Sequence, residues 1–357
     1  MTQRPQEGAA PPDDRAEVTI HDVARMANVS IATVSRVLNG TNPVKGATSD
    51  RVQEAIEALG YIPHSGARSL IKKETRTIGA LLPDMFGEFF SEVIRGLDQV
   101  ARNRHYSLLV TCTHGDMESA EAMLRTMHGK VDGLVILSSE MEVHAGMARL
   151  LKRTPAVFLS QVAGGLEERF DSISVDNHGG ALSMVRYLIG LGHSRIAFIR
   201  GPENNTDAQQ RLRGYRDAMA GFPGTQGRGL EAQGDFGEAS GYRAACRLLK
   251  TSPRPTAIFA ANDDMAIGAL AALKDQGLRV PEDISLAGFD DVPIVRYLTP
   301  ALTSIRAPIS DLGARAAERL LTVIEAGGAV QPRQQTLEVL LVPRGSTCPP
   351  LPGNGGP

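Results

Sequence analysis

The sequence predicts two parts of different fold class. The first is a small all-α headpiece of three helices; the second is a larger two-lobed α/β domain with doubly wound parallel sheets. Three observations predict this. Residues 17–40 carry apolar positions at helical spacing in two short blocks separated by a turn. Residues 48–59 repeat that spacing in a third block. From Ile78 onward, short apolar runs alternate with helix-length amphipathic segments in two successive series.

The headpiece begins with EVTIHDVARMANVSIATVSRVLNG, residues 17–40. Thr19 is placed to cap the first helix, and Asp22 three residues later completes a capping-box pattern. Ile20, Val23, Ala24 and Ala27 then share one face. Asn28 and Val29 make the turn, and Ser30 caps a second helix that runs to about Leu38. Val34, Val37 and Leu38 face inward, which leaves Ile31, Ala32, Thr33, Ser35, Arg36 and Asn39 outside. A short helix with small and polar outward groups plus one arginine can enter a DNA major groove. Spacing alone leaves an ordinary helical hairpin with a solvated face as the alternative. The third helix spans about Thr48 to Leu59; Gly60 ends it and Pro63 forbids continuation. Residues 64–77, HSGARSLIKKETRT, are polar and basic and read as a linker, in which the apolar Leu70 is out of place.

In the larger part, a first series of runs lies at 78–82, 107–110, 133–137 and 156–159. A second lies at 173–175, 196–199, 257–260 and 284–288. Helix-length segments such as 88–103, 117–128, 177–191, 239–250 and 264–276 separate them. Short buried strands alternating with helices imply parallel sheets, and two series imply two similar lobes. Ligands of such folds bind at the carboxyl ends of the strands, here in the cleft between lobes. Residues 341–346 read as a native last strand, although LVPRGS also resembles an engineered protease site.

Charged residues make up 22% and apolar residues 42% of the 357, which places the chain among ordinary globular proteins. The formal net charge of −2 does not by itself point to nucleic acid. Its distribution says more: residues 17–76 hold eight Lys/Arg against six Asp/Glu, so the positive end coincides with the helix pair. Cys112, Cys246 and Cys348 are scattered without a CxxC, which fits a reducing cytosol. No signal-peptide core and no membrane-length apolar stretch is present, so a cytoplasmic location is expected. Residues 1–16 and 348–357 read as disordered tails.

No catalytic constellation emerges: there is no Walker loop, no HExxH and no GxSxG. The eight histidines are dispersed, and neither a metal nor a cofactor is expected. His193 reads as a turn residue bonded to backbone. In Asp263-Asp264 and Asp290-Asp291, each following a strand end, one acid can face the cleft while the other caps the next element.

The headpiece resembles the helix-turn-helix of the LacI/GalR family of bacterial repressors. The resemblance rests on Val18-Thr19-Ile20, Asp22-Val23-Ala24, Val29-Ser30, Thr33 through Asn39, and Gly40. The larger part resembles the periplasmic-binding-protein-like sensor of the same family. Its landmarks are Val131-Asp132-Gly133, Val175-Asp176-Asn177, Gly190-x-Gly192-His193, Ala261-Asn262-Asp263, Gly288-Phe289-Asp290-Asp291 and Leu302-Thr303-Ser304-Ile305. Together they cover residues 17–347. The resemblance implies a DNA-binding headpiece at 17–63, a hinge helix at 64–77, and an effector-binding and dimerisation domain at 78–347. It implies a homodimer on a palindromic operator, controlled by a sugar-like small molecule.

Residue by residue, Arg36 is expected to read a guanine edge and Ile31 and Ala32 to make apolar base contacts. Thr33, Ser35 and Asn39 are expected at phosphates, with Thr19, Ser30, His64, Ala67 and Leu70 completing the DNA-contacting set. His64 stands where the family commonly has Asn. For the effector the implied set is Asp84, Phe89, Phe90, Gln161, Arg211, Phe236, Asn262 and Asp290. Sugar hydroxyls pair with Asp, Asn and Arg, and sugar C–H faces stack on aromatics; Gln161 departs from the Asp of some members. The rival readings are a soluble sugar carrier, opposed by the helix pair and the lack of a signal peptide, and an enzyme on the same scaffold.

Leu70 matches the family's hinge leucine, which wedges into the minor groove at the operator centre and helps bend the duplex. Leu70→Ala should weaken operator binding and reduce bending in a circular-permutation gel, with effector affinity of the DNA-free protein unchanged. Normal bending and affinity in this variant would remove the wedge.

Overall fold

The computed structural model describes residues 18–39, 44–61, 74–114, 117–137, 149, 151, 154–161, 168–222, 230–328 and 330–351. The chain divides into two compact units, Met1–Thr75 and Arg76–Pro357. His64, Ala67 and Leu70, together with most of the expected hinge and the first tail, lie outside the described residues.

In the first unit, helix α1 (Ile20–Met26) starts where its cap predicts. The Asp22 carboxylate accepts both the Thr19 N–H, at 3.0 Å, and the Thr19 hydroxyl, at 2.7 Å. These bonds hold the Asp22 carboxyl below its usual range. Asn28 takes the left-handed conformation, φ 52°, that turns the chain into α2 (Ile31–Asn39). Ser30 Oγ accepts the Thr33 N–H at 3.2 Å and so caps α2. Helix α3 (Gly46–Leu59) begins two residues before the expected Thr48. It ends at Gly60, whose φ of 60° lets its N–H and that of Tyr61 return to the last-turn carbonyls. Val23, Val34, Val52, Ala55 and Tyr61 close a single small core.

The second unit holds two six-stranded sheets. The strands are β1 (Thr77–Leu82), β2 (Ser107–Cys112), β3 (Gly133–Ile136), β4 (Ala156–Phe158), β5 (Asp171–Val175) and β6 (Ile196–Arg200), then β7 (Glu231–Gln233), β8 (Ala257–Ala260), β9 (Ser285–Asp290), β10 (Thr303–Arg306), β11 (Gln334–Leu337) and β12 (Leu340–Val342). The first sheet has the order β11-β5-β4-β3-β1-β2 and is parallel throughout. The second has the order β12-β10-β9-β8-β6-β7, parallel except for β12. The run at 173–175, which the sequence grouped with the second series, lies in β5, which pairs with β4 through Asp171 and Ser172 and belongs to the first lobe.

The helices of this unit are α4 (Glu88–Asn103), α5 (Met117–Met127), α6 (Asn177–Gly190), α7 (Thr206–Ala220), α8 (Glu238–Leu248), α9 (Asp263–Asp275) and α10 (Ile309–Glu325). In the first lobe, Ile78, Ala80 and Leu82 of β1 join the core beneath α4 and α10. Leu81 joins a separate core with Leu124 and Met127 of α5. Burial on both faces explains why the strands read as unbroken apolar runs. In the second lobe Gly288 faces α9 and the adjacent Phe289 faces Gly180 of α6, so helices cover both faces there too. The chain passes between lobes after β5, after β10 and after β11.

The last strand, β12, covers Leu340–Val342 rather than 341–346, and the segment after it packs into the fold: Ser346 is buried, accepts the Thr303 N–H at 2.8 Å and donates to the Leu286 carbonyl at 2.6 Å. The tail expected from residue 348 is instead packed at its start. The Cys348 carbonyl accepts His193 Nε2 at 2.9 Å and Ser285 Oγ at 3.1 Å. His193 is thus the backbone-bonded turn residue the sequence indicated, and burial lowers its pKa. Among the described residues no helix is long and apolar enough to cross a membrane.

Helices α8 and α9 touch at glycines. A Cβ at Gly268 would lie 1.8 Å from the Glu238 carbonyl oxygen, backbone that cannot rotate away. Gly268→Ala should therefore destabilise the second unit by about 1–3 kcal/mol or more through overpacking, read as a lower urea midpoint. An unchanged midpoint would show that the helix pair can separate freely.

Candidate functional site

The carboxyl ends of β1, β2 and β3 in one lobe and of β6, β7, β8 and β9 in the other converge on a cavity of about 590 Å³. Asp84, Phe89, Phe90, Arg211, Phe236, Asn262 and Asp290, all expected from the sequence, line it together. Gln161 does not line it. Its exposed side chain accepts a hydrogen bond from Gln210 Nε2 of α7, at 3.0 Å, and so links the lobes beside the cavity. A second link runs from the Ile294 N–H to the Glu88 carboxylate, at 2.8 Å.

Arg211 organises the second lobe's wall. Its Nε donates to Asn177 Oδ1 at 2.7 Å, Nη1 to the Ala261 carbonyl at 2.6 Å, and Nη2 to Asp290 at 3.0 Å. The guanidinium carbon sits 3.8 Å from the Phe289 ring centroid and 5.9 Å from that of Phe236. Asn177 in turn donates to Asp207 at 2.9 Å. Four elements are thereby tied to one cation: α6, α7, and the ends of β8 and β9.

Three positions, one aromatic and two acidic, are held against their backbone preference. Phe236 has φ 73°, with its carbonyl taken by the Asn262 amide at 2.9 Å while Asn262 Oδ1 caps α9 through the Met265 N–H at 3.0 Å. Asp290 and Asp291 have φ 109° and 54°. The Asp291 carboxylate is anchored by Arg306 at 2.7 Å and Arg344 at 2.6 Å. Left-handed conformations at non-glycine residues persist only where surroundings over-determine them, and they cluster at ligand sites. Phe89 and Phe90 meet edge to face, ring centroids 5.5 Å apart, on the opposite wall.

In each acid pair one member, Asp264 or Asp290, lines the cavity as expected, but the other does not cap the following helix: Asn262 caps α9, and Asp291 pairs with Arg306 and Arg344. Asp263 turns inward and accepts the Val292 N–H at 2.9 Å and the Ser304 hydroxyl at 2.7 Å. Burial raises its carboxyl well above the ordinary value, and Asp290 adds to the rise. Asp264 faces the cavity, where burial and then Asp290, Glu238 and Glu88 push it up to about 7. Asp290 stands at about 6 because burial outweighs the opposing Arg211. Burial likewise raises Asp207 against Arg211.

The sequence did not single out Asn205, Asp207, Asp235, Glu238, Thr113 or His114, which also line the cavity. One signal was present: Asp207, Glu238 and Asp264 each fall in the first turn of a helix that follows a strand, just after the strand end.

In the first unit, Ile31, Ala32 and Arg36 of α2 are exposed, with Ile31 41% accessible. Thr33 and Ser35 are half-buried, and Ser30 and Thr33 share a hydroxyl contact at 2.9 Å. Thr19 is exposed at the start of α1. Asn39 is the last residue of α2.

A helix-turn-helix headpiece followed by a two-lobed α/β domain with a polar cavity at its strand ends defines a ligand-responsive regulator. Residues 19–64 match the bacterial regulatory proteins of the lacI family, and residues 185–347 match the periplasmic binding protein-like domain. The chain is 38% identical over 331 residues to the ribose operon repressor of Escherichia coli K12, covering 92% of this chain and 99% of that one. A crystal structure of the lac repressor dimer, bound to operator and the anti-inducer ONPF, superposes with a TM-score of 0.80. It shares 31% identity and covers 93% of this chain and 99% of its own. A complex of the transcriptional regulator CelR with cellobiose gives a TM-score of 0.70 at 31% identity, covering 92% and 99%. The chain belongs to the lacI family of bacterial regulatory proteins, a family of transcriptional regulators.

The Asp264 shift has a signed consequence. Between its ordinary value of 3.8 and about 7, the folded state keeps a proton that the unfolded chain has released. The contribution of Asp264 to stability is therefore most favourable near pH 4, falls as pH rises to about 7, and is level above. Asp264→Asn lacks this dependence. The stability difference, wild type minus variant, from urea denaturation at fixed pH should decline across that window. A flat difference would place Asp264 in an ordinary solvated setting.

Proposed function

We propose that this protein is a cytoplasmic transcriptional repressor. It binds a palindromic operator as a homodimer through the exposed face of α2. It changes its grip when a sugar or sugar derivative fills the cavity of the second unit. The observation that carries this reading is the exposed Ile31, Ala32 and Arg36 surface on the second helix of a helix-turn-helix, in a chain that also bears an inter-lobe cavity. The relatives support both halves, since one is named for the ribose operon and another was solved on its operator as a dimer. The effector residues in this reading are Asp84, Phe89, Phe90, Arg211, Phe236, Asn262 and Asp290, with Gln161 beside the cavity rather than in it.

A coupling route follows from the topology. Three connections join the lobes, and the two hydrogen bonds at Gln161 and Glu88 span them. A ligand that binds one lobe arrangement better than another shifts the population by its differential affinity. No catalytic step belongs to this reading.

Arg36 is the base-reading side chain in it. Arg36→Ala should cost about 1–3 kcal/mol at the specific site and relax base preference there, while non-specific binding changes little. Electrophoretic mobility shifts on a duplex from the gene's upstream region, at fixed salt, make the measurement. If wild type fails to retard that duplex or any operator selected from a random pool, a ligand carrier without DNA function becomes the better reading.

A further inference from the structure

We propose that the effector is an uncharged, hydroxyl-rich sugar, that this cleft turns away sugar phosphates and sugar acids, and that Asp264 is a specificity residue in that choice. The inference rests on the cavity being the effector site.

Four helices begin at the cavity: α4 after Gly87, α7 after Asn205, α8 after Gly237 and α9 after Asn262. A helix N-terminus carries roughly half a positive charge and free N–H groups, so by itself it attracts anions. In this chain each of the four has its own acid in the first turn: Glu88, Asp207, Glu238, and Asp263 with Asp264. The helix ends that would favour a phosphate are answered internally.

The hydrogen-bonding inventory points the same way. Arg211 directs all three nitrogens at protein acceptors, and its charge is balanced by Asp290. The Asn262 amide nitrogen is committed to the Phe236 carbonyl. Asp264 and Glu238, by contrast, have no hydrogen-bond donor among the described residues. Across the cleft the Gly87 backbone approaches Asp264 closely, since a Cβ there would stand only 3.3 Å from Oδ2, and it places no side chain on that carboxylate. Among the described residues the lining is thus rich in open acceptors and poor in open donors.

A hydroxyl can donate to a carboxylate, whereas a phosphate or ionised carboxyl only accepts. An anion entering here would meet Asp84, Asp207, Asp235, Glu238 and Asp264, with exposed His114 the one basic lining residue besides Arg211 among the described residues. Partial exclusion of water makes that repulsion stronger than in solution. Burial is the largest cause of the raised Asp264 pKa, and the same field adds to it from Asp290 (β9), Glu238 (α8) and Glu88 (α4). Phe89, Phe90 and Phe236 supply flat apolar walls for C–H faces.

The test is a thermal-shift panel on the full chain at constant ionic strength. It uses ribose, glucose, galactose and cellobiose against ribose 5-phosphate, glucose 6-phosphate and glucuronate. At least one neutral sugar should raise the melting temperature, and no anion should do so. An anion that matches or exceeds its neutral parent overturns the inference while leaving the cavity as an effector site. Silence from the whole panel removes the effector reading and this inference with it. For the responding sugar, calorimetry at pH 8, above the Asp264 pKa of about 7, should show Kd raised about tenfold or more in Asp264→Ala, as expected for loss of a hydrogen bond to a charged group. An unchanged Kd removes Asp264 from the choice.

Discussion

The second unit depends on one buried cation. Arg211 is 4% exposed, and a guanidinium so placed is tolerable only with its donors satisfied and its charge balanced. It meets both demands by drawing in Asn177, the Ala261 carbonyl and Asp290, from three different elements. Removing one partner would strand the other's charge in a poorly solvated place. The carboxyl ends of β8 and β9 and the start of α6 are therefore fixed relative to α7. The aromatic rings of Phe289 and Phe236 sit against the same guanidinium. Rigidity in this wall is what lets a small ligand feel a defined surface.

Around that anchor the site is built from strand ends and helix starts, and its electrostatics follow. Parallel strands deliver side chains at their carboxyl ends, and the helices that follow bring their N-termini to the same place. First-turn acids then satisfy those N-termini. The outcome is a cavity with raised carboxyl pKa values at Asp264 and Asp290, set first by burial and then by neighbouring carboxylates. The left-handed backbone at Phe236, Asp290 and Asp291 is accompanied by bonds from Asn262, Arg211, and Arg306 with Arg344 respectively.

Much of this was legible in advance. The Thr19–Asp22 cap, the Asn28 turn and the Gly60 stop are local chemistry, readable within four residues. Unbroken apolar runs marked most strands because both faces of each sheet are covered. Polar or short edge strands left no such mark: β7, Glu231–Gln233, and β11, Gln334–Leu337, went unread. β5 was read but assigned to the wrong series, because the chain order in which runs occur does not say which sheet they join. Gln161 lay at the expected place in the chain, after β4, yet points at Gln210 rather than into the cavity.

The sequence by itself determined the headpiece helices and the alternation of strand and helix, because these rest on spacing over a few residues; the cavity's Phe, Asp, Asn and Arg residues were indicated by the resemblance to the family. Only the tertiary structure decided which residues meet. It joined Arg211 to Asp290 across 79 positions, returned residues 334–337 to the first sheet, and packed Cys348 onto His193. It also gathered the first-turn acids of four separate helices around one space. Such encounters depend on how distant segments share a core, and burial, the physical quantity that then sets charge and hydrogen-bonding demand, exists only after they have.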